Sequence, residues 1–398
     1  MSAAASPTLF TPAQPATRAH VSSRTAPWYI WAGVLAITSA AVGGAWDVSW
    51  HRSIGRDSFW TPAHMAIYLC GVLAGVVGLY LTFQATTGRD PELRASSVSI
   101  FGLRAPLGVF LAGWGGIAML TSAPFDNWWH NAYGLDVKIV SPPHALLILG
   151  IRCISIGVLF LILAAMNRAA AASAVSFKQL QILFLYVAGF AVEGQMFFVQ
   201  EFTSRSRLHV ALPYIVLAGA LPVLFTLFYE ASRFRWACTA TAAVYTIFII
   251  GEILILPLFP AQPKLGPVFF PVTHMVPAEF PVLILAPSFA LDLLLQRTKS
   301  WRSWQIALAV GLVFTAVLVA VEWPFAKFLV SSASENRFFG TMYFDYGTGP
   351  LSSERLRIFF HTQTGAPLVE GLLKACLYGA ISAWIGLGLG RWMRGVQR

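Results

Sequence analysis

Charge is scarce in this chain. Asp, Glu, Lys and Arg together supply 11% of its residues and hydrophobic residues supply 57%, whereas about a quarter of a typical soluble domain is charged. So few charges cannot clothe a water-soluble surface, and the sequence reads as a polytopic membrane protein. Cysteine is also sparse. Cys70, Cys153, Cys238 and Cys376 lie singly in apolar runs, which leaves no disulfide framework and no CxxC pair and makes them four buried small side chains. There is no phosphate-binding loop, no dinucleotide fingerprint and no HExxH. The HxxxH and HxxHH clusters that membrane desaturases and hydroxylases need are missing, and no paired mid-span histidines offer axial ligation to a haem.

What is abundant is long apolar sequence. Runs able to span a bilayer fall at about residues 28–46, 63–85, 100–121, 144–166, 179–199, 208–230, 237–260, 271–296, 304–328 and 367–390. They predict an all-α transmembrane helix bundle of about ten spans. Prolines at 271, 277, 281 and 287 should bend or break the eighth, which is tolerated where the backbone lines a cavity or packs in protein. Residues 1–26, rich in Ala, Ser, Thr and Pro, read as a disordered tail. Most basic residues outside the spans, among them Arg18, Arg24, Arg89, Arg94, Arg168, Arg233, Arg297, Arg302 and Arg394, fall in the tails and alternate loops. By the positive-inside rule those are cytoplasmic, so both termini lie in the cytoplasm of a bacterial inner membrane. The net charge of +10 is then a topology signal. The partner it indicates is the lipid bilayer, not nucleic acid.

Two stretches carry the chemistry. WDVSWHRSIGRDSFWTPAH, residues 46–64, sits at the edge of an apolar run, and FDNWWHNAYGLDVKIVSPPH, residues 125–144, repeats its polar residues in order. Asp47 aligns with Asp126, His51 with His130, Gly55 with Gly134, Asp57 with Asp136 and His64 with His144. Asp47 and His51 are four apart, so a helix continuing through them projects both from one face, one turn apart. A single copy would pass as polar residues at a helix end. Two copies, each closing a pair of apolar segments, form an internal helix-pair repeat whose carboxylate and imidazoles suit a first-row transition metal. Ligand type leaves copper, iron and zinc all open.

Both stretches resemble the copper-site motifs in the C subunit of membrane-bound copper monooxygenases, the family of particulate methane and ammonia monooxygenases. The first motif, W-D-x-x-W-H, then R-D, then T-P-x-H, is matched by Trp46, Asp47, Trp50, His51, Arg56, Asp57, Thr61, Pro62 and His64. The family's ligands then fall on Asp47, His51 and His64, and those of its second motif on Asp126, His130 and His144. The departure is Asp126, where the family has Asn; a carboxylate there adds negative charge and favours a higher-charged or second ion. The resemblance covers roughly residues 27–166, a four-span metal-binding unit, with a six-span region at 167–398 beyond it. It implies one or two copper ions, a small apolar substrate hydroxylated with O2 at the outer (periplasmic) face, and companion membrane and soluble copper-binding subunits. Asp57 and Asp136 are expected as outer acids, accepting the free ring N–H of a ligating His and relaying protons. Trp50 and Trp129 would wall the sites.

Two further readings stand beside the oxygenase. In one, the same residues bind copper or another divalent ion and pass it on, which requires a polar path to the cytoplasmic face. In the other, the metals mainly hold helices in a partner subunit. Arg152, Glu193, Glu252, Glu279 and Glu322 lie inside spans near their outer ends and imply a polar chamber beneath the motifs. Arg152 is expected to pair with Glu193 or Glu252, and His274 to be structural. The long loop at 331–366 is expected to pack as an outer cap.

Overall fold

A computed structural model of the chain describes residues 26–134, 141–169, 174–340, 344–348 and 360–396. The expected tail, but for Ala26, and Asp136 lie outside these described residues. Helix α1 (Trp28–Ser53) pairs with α2 (Pro62–Thr87), and α4 (Leu107–Tyr133) pairs with α5 (Pro142–Ala169). The short α3 (Pro91–Ala95) and a hairpin of β1 (Val98–Ile100) and β2 (Leu103–Ala105) join the two pairs. There follow α6 (Ala174–Val199), α7 (Ala211–Ala220) running into α8 (Pro222–Ser232), α9 (Ala237–Ile255), α10 (Leu285–Arg297), α11 (Ser303–Leu329) and α12 (Gly365–Met393). The architecture is the all-α polytopic bundle that the composition demands.

Proline sets several of the starts. Pro62 opens α2 and Pro142 opens α5, where the missing N–H is no loss and the fixed φ suits the first turn. At its far end α2 stops on Gly88, left-handed at φ 74°. The bundle's outer surface stays apolar: Leu79, Ile117, Ile182, Ile247, Leu312 and Leu373 are all exposed, as lipid-facing positions should be. Trp28, Trp301, Trp304 and Trp392 are exposed at one end of the helices, and Trp60, Trp128 and Tyr133 at the other. Aromatic rings at both ends match the two polar–apolar boundaries of a bilayer.

Among the described residues nine helical segments are long and apolar enough to cross a membrane, with α7 and α8 counted as one. The Pro-rich eighth run, at 271–296, is broken as its prolines imply and is not among the nine. Most of residues 259–284 are extended or irregular, and only the last part of that run folds as the 13-residue α10. The prolines are the cause, since each removes a backbone donor and fixes φ. The freed backbone is satisfied by neighbours, with Glu322 on α11 accepting the Leu283 N–H at 2.8 Å. At the other end Gln296 Nε2 donates to the Arg235 carbonyl at 2.8 Å, and Asp292 accepts the Cys238 and Thr239 N–H groups that start α9. The run therefore still passes from the level of Glu322 to the end where α9 and α11 begin, half unwound and half helical.

Small residues bring α2, α4 and α5 together. A Cβ on Gly116 of α4 would lie 2.7 Å from the Gly75 N of α2, and one on Gly115 2.9 Å from the Ile154 N of α5. Only glycine permits backbones this close. The two helix pairs of the repeat are thus packed side by side, with the motif ends of all four helices at the same end of the bundle. One continuous apolar core runs from Ala26 to Met393 through both halves of the chain.

Candidate metal centres

The repeat in the sequence becomes a repeat in space. Helix α1 runs on to Ser53 and α4 to Tyr133, so Asp47 and His51, and likewise Asp126 and His130, project from one face a turn apart. His64 and His144 are each the third residue of a helix that opens on proline. The first pair of helices thereby brings Asp47, His51 and His64 together, and the second does the same with Asp126, His130 and His144.

At the first centre His64 Nε2 lies 3.2 Å from Asp47 Oδ1 and 3.4 Å from Asp57 Oδ2. His51 Nε2 lies 3.5 Å from the same Asp57 oxygen and 3.9 Å from Asp47 Oδ2. Donor atoms of Asp47, Asp57 and His64 all fall within 4.8 Å of one another. His51, with 46% of its side chain exposed against 14% for His64, stands at the open edge. At the second centre Asp126 faces His130 Nε2 and His144 Nε2, each at 3.4 Å, and the three donors again fit within 4.8 Å.

The other ring nitrogen fixes the tautomer. His64 Nδ1 donates to the Ser58 carbonyl at 2.9 Å and His130 Nδ1 to the Gly134 carbonyl at 3.3 Å. A carbonyl oxygen only accepts, so Nδ1 carries the hydrogen and Nε2 of the neutral ring presents a lone pair. Each such Nε2 then faces carboxylate lone pairs at 3.2 to 3.4 Å. A cation between them turns that repulsion into coordination. The shielded oxygens Asp47 Oδ1 and Asp126 Oδ1, the same atom in the two repeats, make no hydrogen bond of acceptable geometry. Imidazole nitrogens held by a backbone carbonyl on the far side, with an orphaned carboxylate oxygen beside them, are what a bound metal requires.

Asp57 keeps its expected contact with the His51 ring, whose Nε2 lies 3.5 Å away and donates to it, and departs from expectation at His64. There the Nδ1–H is taken by the Ser58 carbonyl, and Asp57 Oδ2 meets the Nε2 side at 3.4 Å instead. It belongs with the candidate ligands of the first centre. The hydrogen bond from His51 holds its carboxyl below the usual carboxylate range, against a burial that acts the other way, with His64 and His130 adding to the lowering. That His130 belongs to the other centre shows the two are within electrostatic reach. The Tyr68 ring, one turn beyond His64 on α2, lies 5.9 Å from that of His64.

A lid covers the first motif. Lys264 N–H donates to the Ile54 carbonyl at 2.8 Å, Val276 N–H to Ser53 Oγ at 2.7 Å, and Tyr346 N–H to the Arg52 carbonyl at 3.1 Å. Trp46 and Trp50 pack beneath with Val272, Met275 and Tyr346, and Trp50 Nε1 donates to the Arg56 carbonyl at 2.8 Å. Trp129 packs against Tyr133, ring centroids 4.5 Å apart, at the second centre. No local signal marked Ser53, Ser58 or Tyr346 in the sequence. The aligned glycines did carry one: Gly55 and Gly134 are both left-handed, at φ 84° and 102°.

Of the intramembrane ions, Arg152 donates to the Ala191 carbonyl at 3.2 Å beside Glu193, and Glu252 lies in reach of Glu193 and Arg52. They gather where α1, α5, α6 and α9 meet. Glu279 pairs instead with Arg205 at 3.8 Å. His274 is exposed and bonds the Thr273 hydroxyl at 2.9 Å, a structural placement.

Fold and clusters together define an integral membrane helix bundle bearing two carboxylate–imidazole sites at one end. Comparison of the chain with protein-family models, with curated proteins and with solved structures finds no match. The likeness to the copper monooxygenases therefore rests on the motif residues themselves.

Proposed function

We propose that the chain is a copper-dependent membrane monooxygenase, or its metal-bearing membrane subunit, acting on a small apolar substrate of the methane or ammonia type. The observation that carries the metal assignment is that in both repeats an imidazole Nε2 lies against an orphaned carboxylate oxygen, His64 against Asp47 Oδ1 and His144 against Asp126 Oδ1. No thiolate or thioether takes part, and imidazole with carboxylate suits copper, with iron and zinc the alternatives to be tested. Bound copper would supply dioxygen activation. The net reaction takes O2, two electrons from an external reductant and two protons, and gives the hydroxylated product and water.

The chain's own residues have simpler tasks. Asp47, Asp57, His51 and His64 hold one ion, and Asp126, His130 and His144 the other. The Ser58 and Gly134 carbonyls keep the His64 and His130 rings in the ligating tautomer. The lid and Trp50 limit water at the first centre, while the apolar flanks of α1, α2, α4 and α5 admit an apolar substrate from lipid. The basic ends Arg89, Arg168, Arg233 and Arg394 lie opposite the clusters, which supports a periplasmic position for the sites and a cytoplasmic one for the termini. An electron donor or a soluble copper-binding subunit would approach from the periplasm.

One observation favours the second reading, metal binding and transport. The half-unwound run ending in α10, with Glu322 at its break, has the form of the discontinuous helices that line transporter sites. Against it, Asp292, the fully buried acid toward the other end, is saturated by Cys238 and Thr239 and offers no onward ligand. The test is a reconstituted, copper-loaded protein given reductant, O2 and a small alkane or ammonia. Product formation lost in His64→Ala supports the oxygenase; copper flux into vesicles without product supports transport.

A further inference from the structure

The link between α2 and α4 makes a hairpin at the end of the bundle away from the metal centres. Its strands pair Val98 with Ala105, Ser99 with Arg104 and Ile100 with Leu103. An isolated hairpin of this length does not hold in water. Here Val98 and Ile100 pack on the core, and Thr86 Oγ1 accepts the Arg104 N–H at 2.8 Å. That contact sets the hairpin's depth, because Thr86 is in the last turn of the α2 span.

The turn residues are Phe101 and Gly102, with φ 50° and 82°. Two left-handed residues in succession make the type I′ turn, which favours Asn, Asp or Gly at its first position. A bulky ring is disfavoured there by its own Cβ. Phe101 has no compensating contact within the chain, for it is 99% exposed. Leu103 beside it is half exposed, and the apolar surface continues onto Phe83 and Leu79 of α2. Arg89 lies over the Phe83 ring at 4.8 Å, and Arg104 stands exposed on the hairpin face turned from the core. Of the two neighbouring acids, Asp90 is turned inward, capping the Leu93 N–H at 2.9 Å, and the exposed Glu92 sets one negative charge against the two guanidinium groups.

From this we infer that residues 98–105 form a membrane-interface anchor. Phe101 and Leu103 enter the acyl boundary, and the guanidinium groups of Arg89 and Arg104 bind the phosphates of anionic phospholipid headgroups. The occupant follows from continuity: the exposed ring extends the lipid-facing side of a helix that ends at the same depth.

The test uses the full chain in bilayer discs of phosphatidylcholine, with and without phosphatidylglycerol. A nitroxide is attached at Phe101→Cys or at Ser99→Cys, and the unsubstituted chain reports labelling of the native cysteines. The label at 101 should be reached by O2 in preference to a water-soluble nickel chelate, and the label at 99 the reverse. Phosphatidylglycerol should shift the 101 label deeper, and Arg104→Gln should abolish that shift. Phe101→Asn, which suits the turn, should keep thermal stability but retain less phosphatidylglycerol through purification. Equal nickel access at 101 and 99 in both lipids, or unchanged lipid retention in both variants, overturns the proposal. So does a 101 label that is aqueous in discs yet shielded in native membranes, which would assign the surface to a protein partner.

Discussion

His64 Nε2 stands 3.2 Å from Asp47 Oδ1, an oxygen shielded from solvent that makes no hydrogen bond of acceptable geometry. The second repeat places His144 Nε2 at 3.4 Å from Asp126 Oδ1 in the same condition. Copper should therefore stabilise the protein at each centre separately. Ion present at 100 times its dissociation constant adds about 2.7 kcal/mol per site. Asp47→Ala should lose one such increment of thermal stabilisation and Asp126→Ala the other, read from melting curves in lipid with and without metal.

At the first centre the ligands should rank in effect. His64 is enclosed and touches both acids, while His51 is nearly half exposed at the edge. His64→Ala should abolish binding there, and His51→Ala should weaken it by about 10- to 100-fold, the range for a supporting group. Isothermal titration with each variant checks the order, and a larger loss in His51→Ala would contradict it.

Low pH should expose Asp57. Its carboxyl titrates below the ordinary carboxylate range because His51 hydrogen-bonds its charged form. The stabilisation it gives is fully present above the unfolded value of about 3.9 and is lost as pH falls through the lower folded value. The metal-free protein should accordingly differ in stability from Asp57→Asn above about pH 4, with the difference vanishing in stronger acid. Melting curves across pH 2 to 7, about the reference carboxylate value, would show it.

Gly55 and Gly134 should not be equivalent under substitution, although the repeat aligns them. Gly134 has φ 102° and ψ 170°, with open space where an added methyl would sit, so Gly134→Ala carries only the backbone cost of about 1–3 kcal/mol. A Cβ on Gly55 would also meet the Tyr346 hydroxyl, so Gly55→Ala should cost more and should also displace His51. Thermal stability and copper affinity of the two variants separate the effects.

The lid depends on Ser53. Its buried hydroxyl accepts the Val276 N–H at 2.7 Å, and Ser53→Ala leaves that N–H buried and unpaired, costing about 1–3 kcal/mol. Hydrogen exchange should rise at Val276 and its neighbours with no change at the second centre.

Much of this was legible in the chain itself, for physical reasons. Helical periodicity carries Asp47 to His51 and Asp126 to His130 on one face, and proline opens the helices that bring His64 and His144. The position of Asp57 was only partly legible, because an eight-residue link decides where its side chain turns, and at His64 a backbone carbonyl had taken the role expected of it. The prolines of 271–287 announced a break but not its extent, which depends on Glu322, far along the chain, accepting a freed N–H. The turn and second strand of the hairpin at 98–105 were hidden inside a run counted as membrane span, since strand and helix residues share the same apolar composition there.

Copper per polypeptide, measured on protein purified in lipid, tests the central claim most directly. The wild type should hold two ions, the double variant Asp47→Ala with His64→Ala one, and Asp126→Ala with His144→Ala one. Should both double variants keep the wild-type copper content, the two centres do not exist as described.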